Sequence, residues 1–268
     1  FNSASYNSAF DKLKSYIANG DCYQSNLTQQ FSAKYSGHHW HATQKAWKAS
    51  PAPFSGYIKN YSSAVSSCSP ECFIQIENGS VITKPIKGTR PRGITITQDV
   101  SHARELCKSV KDKAENLMIV DLMRNDLGRY CQTGSVKTPK LFDIESFTNV
   151  HHLVSTVTAK IEPNNAKASL ALFLGSLPGG SITGAPKIRA SQIINELEQQ
   201  RRDIYCGSVF YASNNGKFDS NIAIRTLLAN DQHLTAWAGG GIVNDSQAEE
   251  EYQECQHKIG KLLRALED

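Results

Sequence analysis

The chain lacks the sequence features of several common protein classes. Its seven cysteines form no CxxC pair and none stands at zinc-finger spacing, so reduced thiols are expected rather than a zinc site. Its apolar runs are too short to cross a bilayer, and no charged segment followed by an apolar one opens the chain. These absences predict a cytoplasmic protein that does not associate with a membrane.

Excess charge is also scarce. The formal net charge is +4, and the lysines and arginines are spread along the chain rather than gathered into blocks. This distribution argues against a nucleic-acid partner. It would suit a small polyanionic substrate, although so modest a surplus is also common in proteins without a charged ligand. The chain opens with Phe1 rather than Met, which predicts that an N-terminal portion of a longer protein is missing.

Hydrophobic periodicity predicts a mixture of helices and strands. No repeat, low-complexity tract or proline-rich linker divides the chain, so one α+β domain over 1–268 is expected. Residues 77–80 predict a hairpin turn, and the three glycines at 239–241 predict a loop. Strands are predicted over 54–58, 73–76, 80–85, 117–120, 207–212, 222–228 and 234–238. Helices are predicted over 8–19, 99–116, from 166 to 174, 185–200 and 246–266.

The segment PIKGTRPRG, residues 85–93, carries the strongest local signal for chemistry. Lys87 leaves a strand between a proline and a glycine, and two arginines follow it. Burial and neighbouring cations would lower the pKa of this lysine, and only the neutral amine is a nucleophile. The alternative is a surface turn whose cations are solvated.

Glu71 begins the preceding hairpin, so the sheet could bring its carboxylate near Lys87. An acid and a nucleophile could then act on one substrate. The alternative is an exposed glutamate at the start of a strand, which is common in proteins.

Three glutamates suggest a site for a hard cation. Glu115 is predicted at the end of a helix, and Glu251 and Glu254 stand three residues apart on the last helix. Carboxylate oxygens, with water and a substrate carboxylate, are the usual ligands of Mg²⁺. The alternative is a solvated helix face, and Lys258 could then be an i,i+4 partner of Glu254 rather than a ligand for a substrate carboxylate.

Two glycine-rich segments could bind anions through backbone amides. The first, GGSITGAPK at 179–187, does not have the spacing of a Walker loop, which excludes a nucleotide site but not a carboxylate site. The second is the glycine run 239–241, for which a tight turn is the alternative. His151 and His152 lack the HExxH context of a zinc site, which favours structural histidines.

Taken in order, several segments resemble the chorismate-utilising enzymes. They are PIKGTRPRG, AENLMIVDLMRNDLGR, HHLVS, PGGSITGAPK, the stretch from Tyr205 to Arg225, and AGGGIVNDSQAEEEYQE. The resemblance covers nearly the whole chain. It implies an α+β fold layered as α/β/β/α, with packed and mostly antiparallel sheets. Lys87 makes the chain most similar to the members that form 4-amino-4-deoxychorismate, because anthranilate-forming members usually carry alanine at that place.

The resemblance also implies roles for individual residues. Lys87, Glu71 and His152 would be catalytic. Glu115 and Glu254 would bind Mg²⁺, with Glu251 assisting through water. The substrate-binding residues would be Gly88, Thr89, Ser181, Tyr205, Arg225, Gly239, Gly240, Gly241 and Lys258.

The activity implied is Mg²⁺-dependent amination of chorismate, with ammonia from a glutamine amidotransferase subunit. Lys87 would add to the 2-position of the ring while Glu71 protonates the departing 4-hydroxyl, and ammonia would then displace the lysine. One alternative is another chorismate reaction, which would form anthranilate or isochorismate. The other is a catalytically silent chorismate-binding paralogue.

Overall fold

A computed structural model describes residues 3–230 and 232–267; Phe1, Asn2, Asp231 and Asp268 lie outside the described residues. The chain forms two compact units, and neither is one continuous segment. The first unit comprises Phe1–Pro70, Pro178–Val209 and Asn221–Asp268, and the second comprises Glu71–Leu177 and Phe210–Ser220. The mixture of helices and mostly antiparallel sheets confirms the predicted α+β class. A single catalytic domain over 1–268 stays a prediction.

The first unit is built on a six-stranded sheet in the order β2-β3-β12-β13-β1-β9. Its strands are β1 (Gln24–Lys34), β2 (Phe54–Lys59), β3 (Ser63–Ser69), β9 (Gly184–Ala185), β12 (Thr226–Asn230) and β13 (His233–Ile242). Its helices are α1 (Ser3–Ala18), α2 (His39–Ala49), a 3-10 turn (Gly180–Ile182), α6 (Lys187–Leu197) and α7 (Ala248–Arg264).

Helices cover the first unit's sheet through two apolar clusters. In one, Phe10 and Leu13 of α1 pack with Leu27 of β1 and Ile193 of α6. In the other, Ile259 and its neighbours on α7 pack against β12 and β13. Burial of each side chain of this size contributes about 1.5–3 kcal/mol to the free energy of folding. Removing one of these helices from the sheet would therefore destabilise the unit strongly.

The second unit is built on a seven-stranded sheet. Its strands are β4 (Cys72–Glu77), β5 (Ser80–Thr83), β6 (Ile86–Pro91), β7 (Lys137–Ser146), β8 (Val150–Lys160), β10 (Phe210–Ala212) and β11 (Phe218–Asn221). Its helices are α3 (Ile96–Lys108), α4 (Val110–Tyr130) and α5 (Ala166–Ser176). The long strand β8 pairs antiparallel with β5, β6 and β7, and so organises the sheet.

The turn between β4 and β5 confirms the hairpin prediction. Asn78 and Gly79 have φ of 50° and 75°, which are the left-handed values that a two-residue hairpin turn needs. The strands leave the turn with Glu77 opposite Ser80 and Gln75 opposite Ile82. Asparagine and glycine tolerate these angles better than other residues, which explains why this turn could be read from the sequence.

The strand predicted over 117–120 is wrong, because these residues lie inside α4. The predicted helix over 99–116 is in fact two helices that meet at Ser109, which ends α3 and caps α4 by accepting a hydrogen bond from the Asp112 amide at 3.2 Å. The short apolar run suits a buried helix face as well as a buried strand. Glu115 therefore lies within a helix and not at its end.

The loop predicted at 239–241 is also wrong. These glycines belong to β13 and pair with Thr28, Leu27 and Asn26 of β1. The predicted strand over 222–228 begins later, at Thr226, and 222–225 form irregular backbone. Glycine has a low intrinsic propensity for β-strands, but pairing with β1 overrides it here.

Two expectations about the whole chain can be compared with the structure. All seven cysteines are free, as predicted. Over the described ranges, no helix combines the length and the apolar character that spanning a membrane requires.

Candidate active site

Lys87 lies on β6 in the second unit and faces helix α4. Its Nζ is 4.0 Å from Oε2 of Glu115, and the two side chains are 14% and 17% exposed. Two opposite charges at this distance attract each other more strongly when they are mostly shielded from water. The structure thus brings together a candidate nucleophile and a candidate metal ligand that lie 28 positions apart in the sequence.

Gly88 allows this approach of strand to helix. Its φ is +80°, and a Cβ at this position would stand 2.8 Å from Cγ of Asp112 and 2.8 Å from Cδ1 of Leu106. Asp112 precedes Glu115 by one helical turn, so the same face of α4 presents both carboxylates to β6. Asp112 was not predicted as a site residue, although its spacing of three from Glu115 indicates that both carboxylates lie on one face of a helix.

The two arginines that follow Lys87 are engaged elsewhere. Arg90 pairs with Glu105 at 2.8 Å and with Asp112 at 3.5 Å. Arg92 donates two hydrogen bonds to Asp99, at 2.7 and 2.8 Å. The expectation that these cations act on Lys87 is therefore not supported, because each already has carboxylate partners.

His152 is held by the strand next to it. Thr89 of β6 lies opposite His152 of β8, and its hydroxyl is 2.8 Å from Nδ1 of the imidazole. The ring of Phe147 packs on the histidine at a centroid distance of 5.5 Å, and His152 is only 3% exposed. The partner at Nδ1 restrains the orientation of the ring, and because a hydroxyl can donate or accept, it is compatible with either tautomer.

Glu71 is buried, at 6% exposure, immediately before β4. The recorded pairing of β4 with β5 ends at Gln75 opposite Ile82. If this antiparallel register were continued by four residues, Glu71 would stand opposite Ile86, the residue before Lys87. The alternative of an exposed glutamate is excluded by the burial.

The first unit holds the other predicted residues. Glycine in β13 lets α7 approach the strand, because a Cβ on Gly240 would stand 2.7 Å from Oε2 of Glu251. Glu251 is 5% exposed and accepts a hydrogen bond from the Ser246 hydroxyl at 2.7 Å. This carboxylate is therefore fixed in place and not part of a solvated helix face.

Lys258 and Glu254 form an ion pair on the next turns of α7. Nζ of Lys258 is 2.6 Å from Oε1 of Glu254 and donates to the carbonyl of Gly239 at 3.0 Å. Burial opposes the charge of the Lys258 ammonium, but the Glu254 carboxylate outweighs it and the pKa of Lys258 is raised. The lysine is therefore a permanent cation beside the glycine strand, which suits both its i,i+4 role and the binding of a carboxylate.

Arg225 is a half-buried cation of this unit, and Tyr205 is a buried phenol. Arg225 lies at φ 48°, and burial lowers the pKa of its guanidinium. Among the residues that the structure describes, no carboxylate forms an ion pair with Arg225. Tyr205 stacks on Trp237 at 6.2 Å, and burial raises the pKa of its phenol well above the usual value. A half-buried cation without a counter-ion favours an anionic ligand.

Ser181 lies in the 3-10 turn Gly180–Ile182. This turn is held by Arg202, a residue that was not predicted from the sequence. Arg202 donates to the carbonyl of Ile182 and to that of Asn26, each at 2.8 Å. Its guanidinium also binds Glu198 with two hydrogen bonds, of 2.6 and 2.8 Å. Glu198 is only four residues from Arg202, but the two carbonyls that Arg202 binds lie 20 and 176 positions away, so no local pattern marks its role at this turn.

The predicted site residues thus fall into two sets. Lys87, Gly88, Thr89, Glu115 and His152 are neighbours on β6, β8 and α4 of the second unit, and Glu71 belongs to the same unit, just before β4. Ser181, Tyr205, Arg225, the three glycines and the residues of α7 belong to the first unit. In the described part of the chain, no three His, Cys, Asp or Glu side chains are grouped closely enough to hold a metal ion. The assignment of roles to these residues stays a prediction.

Comparison with known proteins identifies the family. A model of the family described as chorismate binding enzyme matches residues 1–264. The chain belongs to the chorismate-binding enzymes. Membership confirms the resemblance that the ordered motifs indicated, and it accounts for the fold.

Individual relatives are also similar. The chain is 51% identical over 263 residues to aminodeoxychorismate synthase component 1 of Salmonella typhimurium, covering 98% of this chain and 58% of the relative. The same enzyme component of Escherichia coli is 51% identical over 262 residues, with 98% and 57% covered. The chain therefore spans somewhat more than half the length of these relatives.

A solved structure supports the family fold. Anthranilate synthase component I from Streptococcus pneumoniae TIGR4 superimposes with a TM-score of 0.87 at 34% identity, over 98% of this chain and 58% of that one. This chorismate-binding enzyme shares the α+β architecture described above. The fold alone does not separate the two named activities, so the argument for one of them must come from particular residues.

Proposed function

We propose that this chain is the catalytic part of an enzyme that aminates chorismate to 4-amino-4-deoxychorismate. The observation that carries the proposal is the pairing of Lys87 with Glu115 at 4.0 Å, with both side chains mostly buried. The limited exposure of Lys87 favours the neutral amine that attacks, whereas the Glu115 carboxylate favours the ammonium, and a cation held by Glu115 would offset that second effect. The relatives at 51% identity bear the name of this synthase, which supports the same activity here.

The proposed first step is addition of the neutral Lys87 amine to C2 of the ring. The C4–O bond breaks as the double bond shifts, and Glu71 gives its proton to the departing hydroxyl, which leaves as water. The buried position of Glu71 before β4 supports this role, because burial favours the protonated form of a carboxylic acid.

The second step is attack of ammonia at C4. The C4–N bond forms, the ring double bonds shift back, and the C2–N bond to Lys87 breaks, which restores the amine. The new C4 ammonium then returns one proton to the Glu71 carboxylate, which restores the acid. The enolpyruvyl group is retained throughout. His152, oriented by Thr89, would stand near the departing oxygen and steady it by hydrogen bonding.

Chorismate carries carboxylates that need cationic or amide partners. Arg225, a half-buried guanidinium without an ion-pair partner among the described residues, suits one of them, and Lys258 at the glycine strand suits another. Tyr205, Ser181, Gly88 and Thr89 would complete the binding of the ring and its substituents.

The resemblance implies Mg²⁺ as the cofactor, and the three residues that it assigns to the ion are all glutamates. Glu115, Glu254 and, through water, Glu251 would hold the ion, because a hard cation prefers carboxylate oxygens. The contact of Glu251 with Gly240, where any larger residue would collide, agrees with a carboxylate kept at a fixed place. When bound, Mg²⁺ would neutralise the ring carboxylate and so reduce the charge that opposes attack.

Ammonia would come from a glutamine amidotransferase subunit. The relatives are named as component 1, which implies a second component in those systems. We therefore propose the same arrangement for the protein that contains this chain, and a cytoplasmic location for it.

The products of the full-length protein test the proposal. Chorismate, Mg²⁺ and ammonium should yield 4-amino-4-deoxychorismate, separated by liquid chromatography and identified by mass. Anthranilate or isochorismate as the product would reject the assignment, and binding without turnover would indicate a silent paralogue.

A pair of lysine variants tests the nucleophile. With ammonium omitted, the intact mass of the wild-type protein should rise by that of chorismate less one water. Lys87→Ala should lose this adduct and the synthase activity. Lys84→Ala is the matched control, because Lys84 is three residues away and pairs with Glu145 instead. Retention of the adduct by Lys87→Ala would show that another group attacks the ring.

A further inference from the structure

Asn116 is a polar side chain buried in the middle of α4. It follows Glu115 directly and is 0% exposed. An amide removed from water needs partners for its donors and its acceptor, since each unmet group raises the energy of the folded state. The hydrogen bonds of this buried side chain must therefore come from groups of the protein that pack against α4.

The partners of Asn116 lie on β8, which carries His152, and just before β6, which carries Lys87. Its Nδ2 donates to the carbonyls of Pro85 and Leu153, each at 3.4 Å. Its Oδ1 accepts a hydrogen bond from the Ser155 hydroxyl. Pro85 stands two residues before Lys87, and Leu153 follows His152. One side chain thus joins the backbones of both segments to the helix that carries Glu115.

Ser155 extends this connection. Its hydroxyl oxygen accepts from the amide of Phe142 at 3.1 Å, and its own amide donates to the carbonyl of Pro85 at 3.3 Å. Ser155 is 0% exposed. The network is therefore buried, and it runs from Phe142 of β7 through Ser155 of β8 and Pro85, next to β6, to Asn116 of α4.

We propose that Asn116 is the positioning residue that sets the spacing of Lys87, Glu115 and His152. The inference rests on the proposed function, because it assigns a purpose to the spacing of residues that this function uses. Asn116 touches no substrate in this account. It acts by fixing two strand backbones against one helix, and small misplacements of reacting groups are costly in rate.

The chemistry of the amide explains why asparagine is needed at this position. Leucine has a similar size but would leave two carbonyls and a hydroxyl without its hydrogen bonds. An ionised aspartate has the same shape but offers only acceptors, so it would keep the bond from Ser155 and repel the carbonyls of Pro85 and Leu153. Asn116→Asp is therefore the sharper change, since it alters donors and not volume.

Asn221 offers a matched control. It is 3% exposed, and its Nδ2 donates to the carbonyl of Phe54 at 2.8 Å and to the Ser67 hydroxyl at 3.2 Å. It is thus another buried amide with a carbonyl and a serine as partners, but it lies in the first unit, outside the Lys87 network. Asn221→Asp should lower the melting temperature as Asn116→Asp does.

The first readout is the kinetics of the full-length protein with chorismate, Mg²⁺ and ammonium. We expect Asn116→Asp to lower kcat roughly 30- to 100-fold with KM changed less than about threefold, since positioning acts on the chemical step. Asn221→Asp should keep both constants within about threefold per folded molecule.

The second readout needs no turnover. Acetic anhydride is added at one pH without substrate, and peptide mass spectrometry compares acetylation of Lys87 with that of Lys140, whose side chain is 64% exposed. Asn116→Asp should change this ratio at least about twofold, because the strand that carries Lys87 shifts relative to α4. Asn221→Asp should leave the ratio unchanged.

These readouts separate the possible failures. If folded Asn116→Asp keeps both the kcat and the acetylation ratio of the wild type, the positioning role is overturned. If Asn116→Asp does not fold, Ser155→Ala decides by the same two readouts. If the wild-type protein does not turn over chorismate, the proposed function fails, while the acetylation ratio still decides the role of Asn116.

Discussion

The Thr89 hydroxyl lies 2.8 Å from Nδ1 of His152, across the paired strands β6 and β8. Thr89→Val removes this hydrogen bond but keeps the shape of the side chain. The imidazole then loses the contact that fixes its orientation, so we expect kcat to fall about tenfold, as for other supports of a functional histidine. Steady-state kinetics with chorismate measure the effect. Thr89→Ser, which keeps the hydroxyl, should stay near wild type, and equal activity of both variants would contradict the role.

Gly88→Ala should destabilise the protein beyond the usual cost of a glycine substitution. The new methyl group would meet Asp112 and Leu106, each at 2.8 Å, at a φ of +80°. We expect a loss of at least about 2 kcal/mol in the free energy of unfolding, measured in urea.

Gly134→Ala is the control for this prediction. Gly134 has a φ of +75°, but nothing lies within 4 Å of a Cβ there. It should therefore cost only the backbone term, about 1 kcal/mol. Equal losses for the two variants would show that β6 and α4 yield easily at Gly88.

The features that could be predicted from the sequence are local ones. Asn78 and Gly79 predict a turn because few other residues accept left-handed backbone angles. Lys87 and Gly88 could also be singled out locally, because they lie in the unusual segment PIKGTRPRG. The resemblance to a family then added the remaining residues, because the order of several motifs is more specific than any one of them.

The features that could not be predicted depend on distant partners. The run at 117–120 has no local property that decides between strand and helix, and its burial on one face of α4 decided it. The glycines of β13 became a strand because β1 pairs with them. Arg202 is far in sequence from Asn26, whose carbonyl it binds, so no pattern near it signals its role.

Asp99 should make stability depend on pH in acid. Hydrogen bonds from Arg92, and then from the Gly93 amide, hold the pKa of this carboxyl well below its usual range. Since the folded state favours the ionised form, its contribution is present above the unfolded pKa of about 3.9 and is lost as the pH falls through the folded value. His151, at 2.9 Å from the same carboxylate, adds to the effect.

Asp99→Asn tests this pH dependence. The wild-type protein should lose stability more steeply than the variant below about pH 4, measured by urea unfolding at a series of pH values. Asp121→Asn is the control, because that carboxylate is 66% exposed and lies 3.7 Å from its partner Arg124. Parallel pH curves for wild type and Asp99→Asn would contradict the prediction.

Arg202→Met should be the most destabilising of these changes. The substitution removes five hydrogen bonds, two to Glu198, one each to the carbonyls of Ile182 and Asn26, and one to Sγ of Cys206. The Glu198 side chain is only 5% exposed, so its carboxylate would stay buried without its cation. Breaking one partner of a buried pair costs about 3–5 kcal/mol, which chemical denaturation can measure.

Arg189→Met provides the comparison for this loss. Arg189 pairs with Asp21 at 2.7 Å, but the two side chains are 37% and 31% exposed. Water can solvate the remaining carboxylate there, so the loss should stay within about 1 kcal/mol. Arg202→Lys should recover little, because an ammonium cannot span Glu198 and the two carbonyls as the planar guanidinium does. If Arg202→Met cost no more than Arg189→Met, burial of the Arg202 pair would not be what holds the turn containing Ser181.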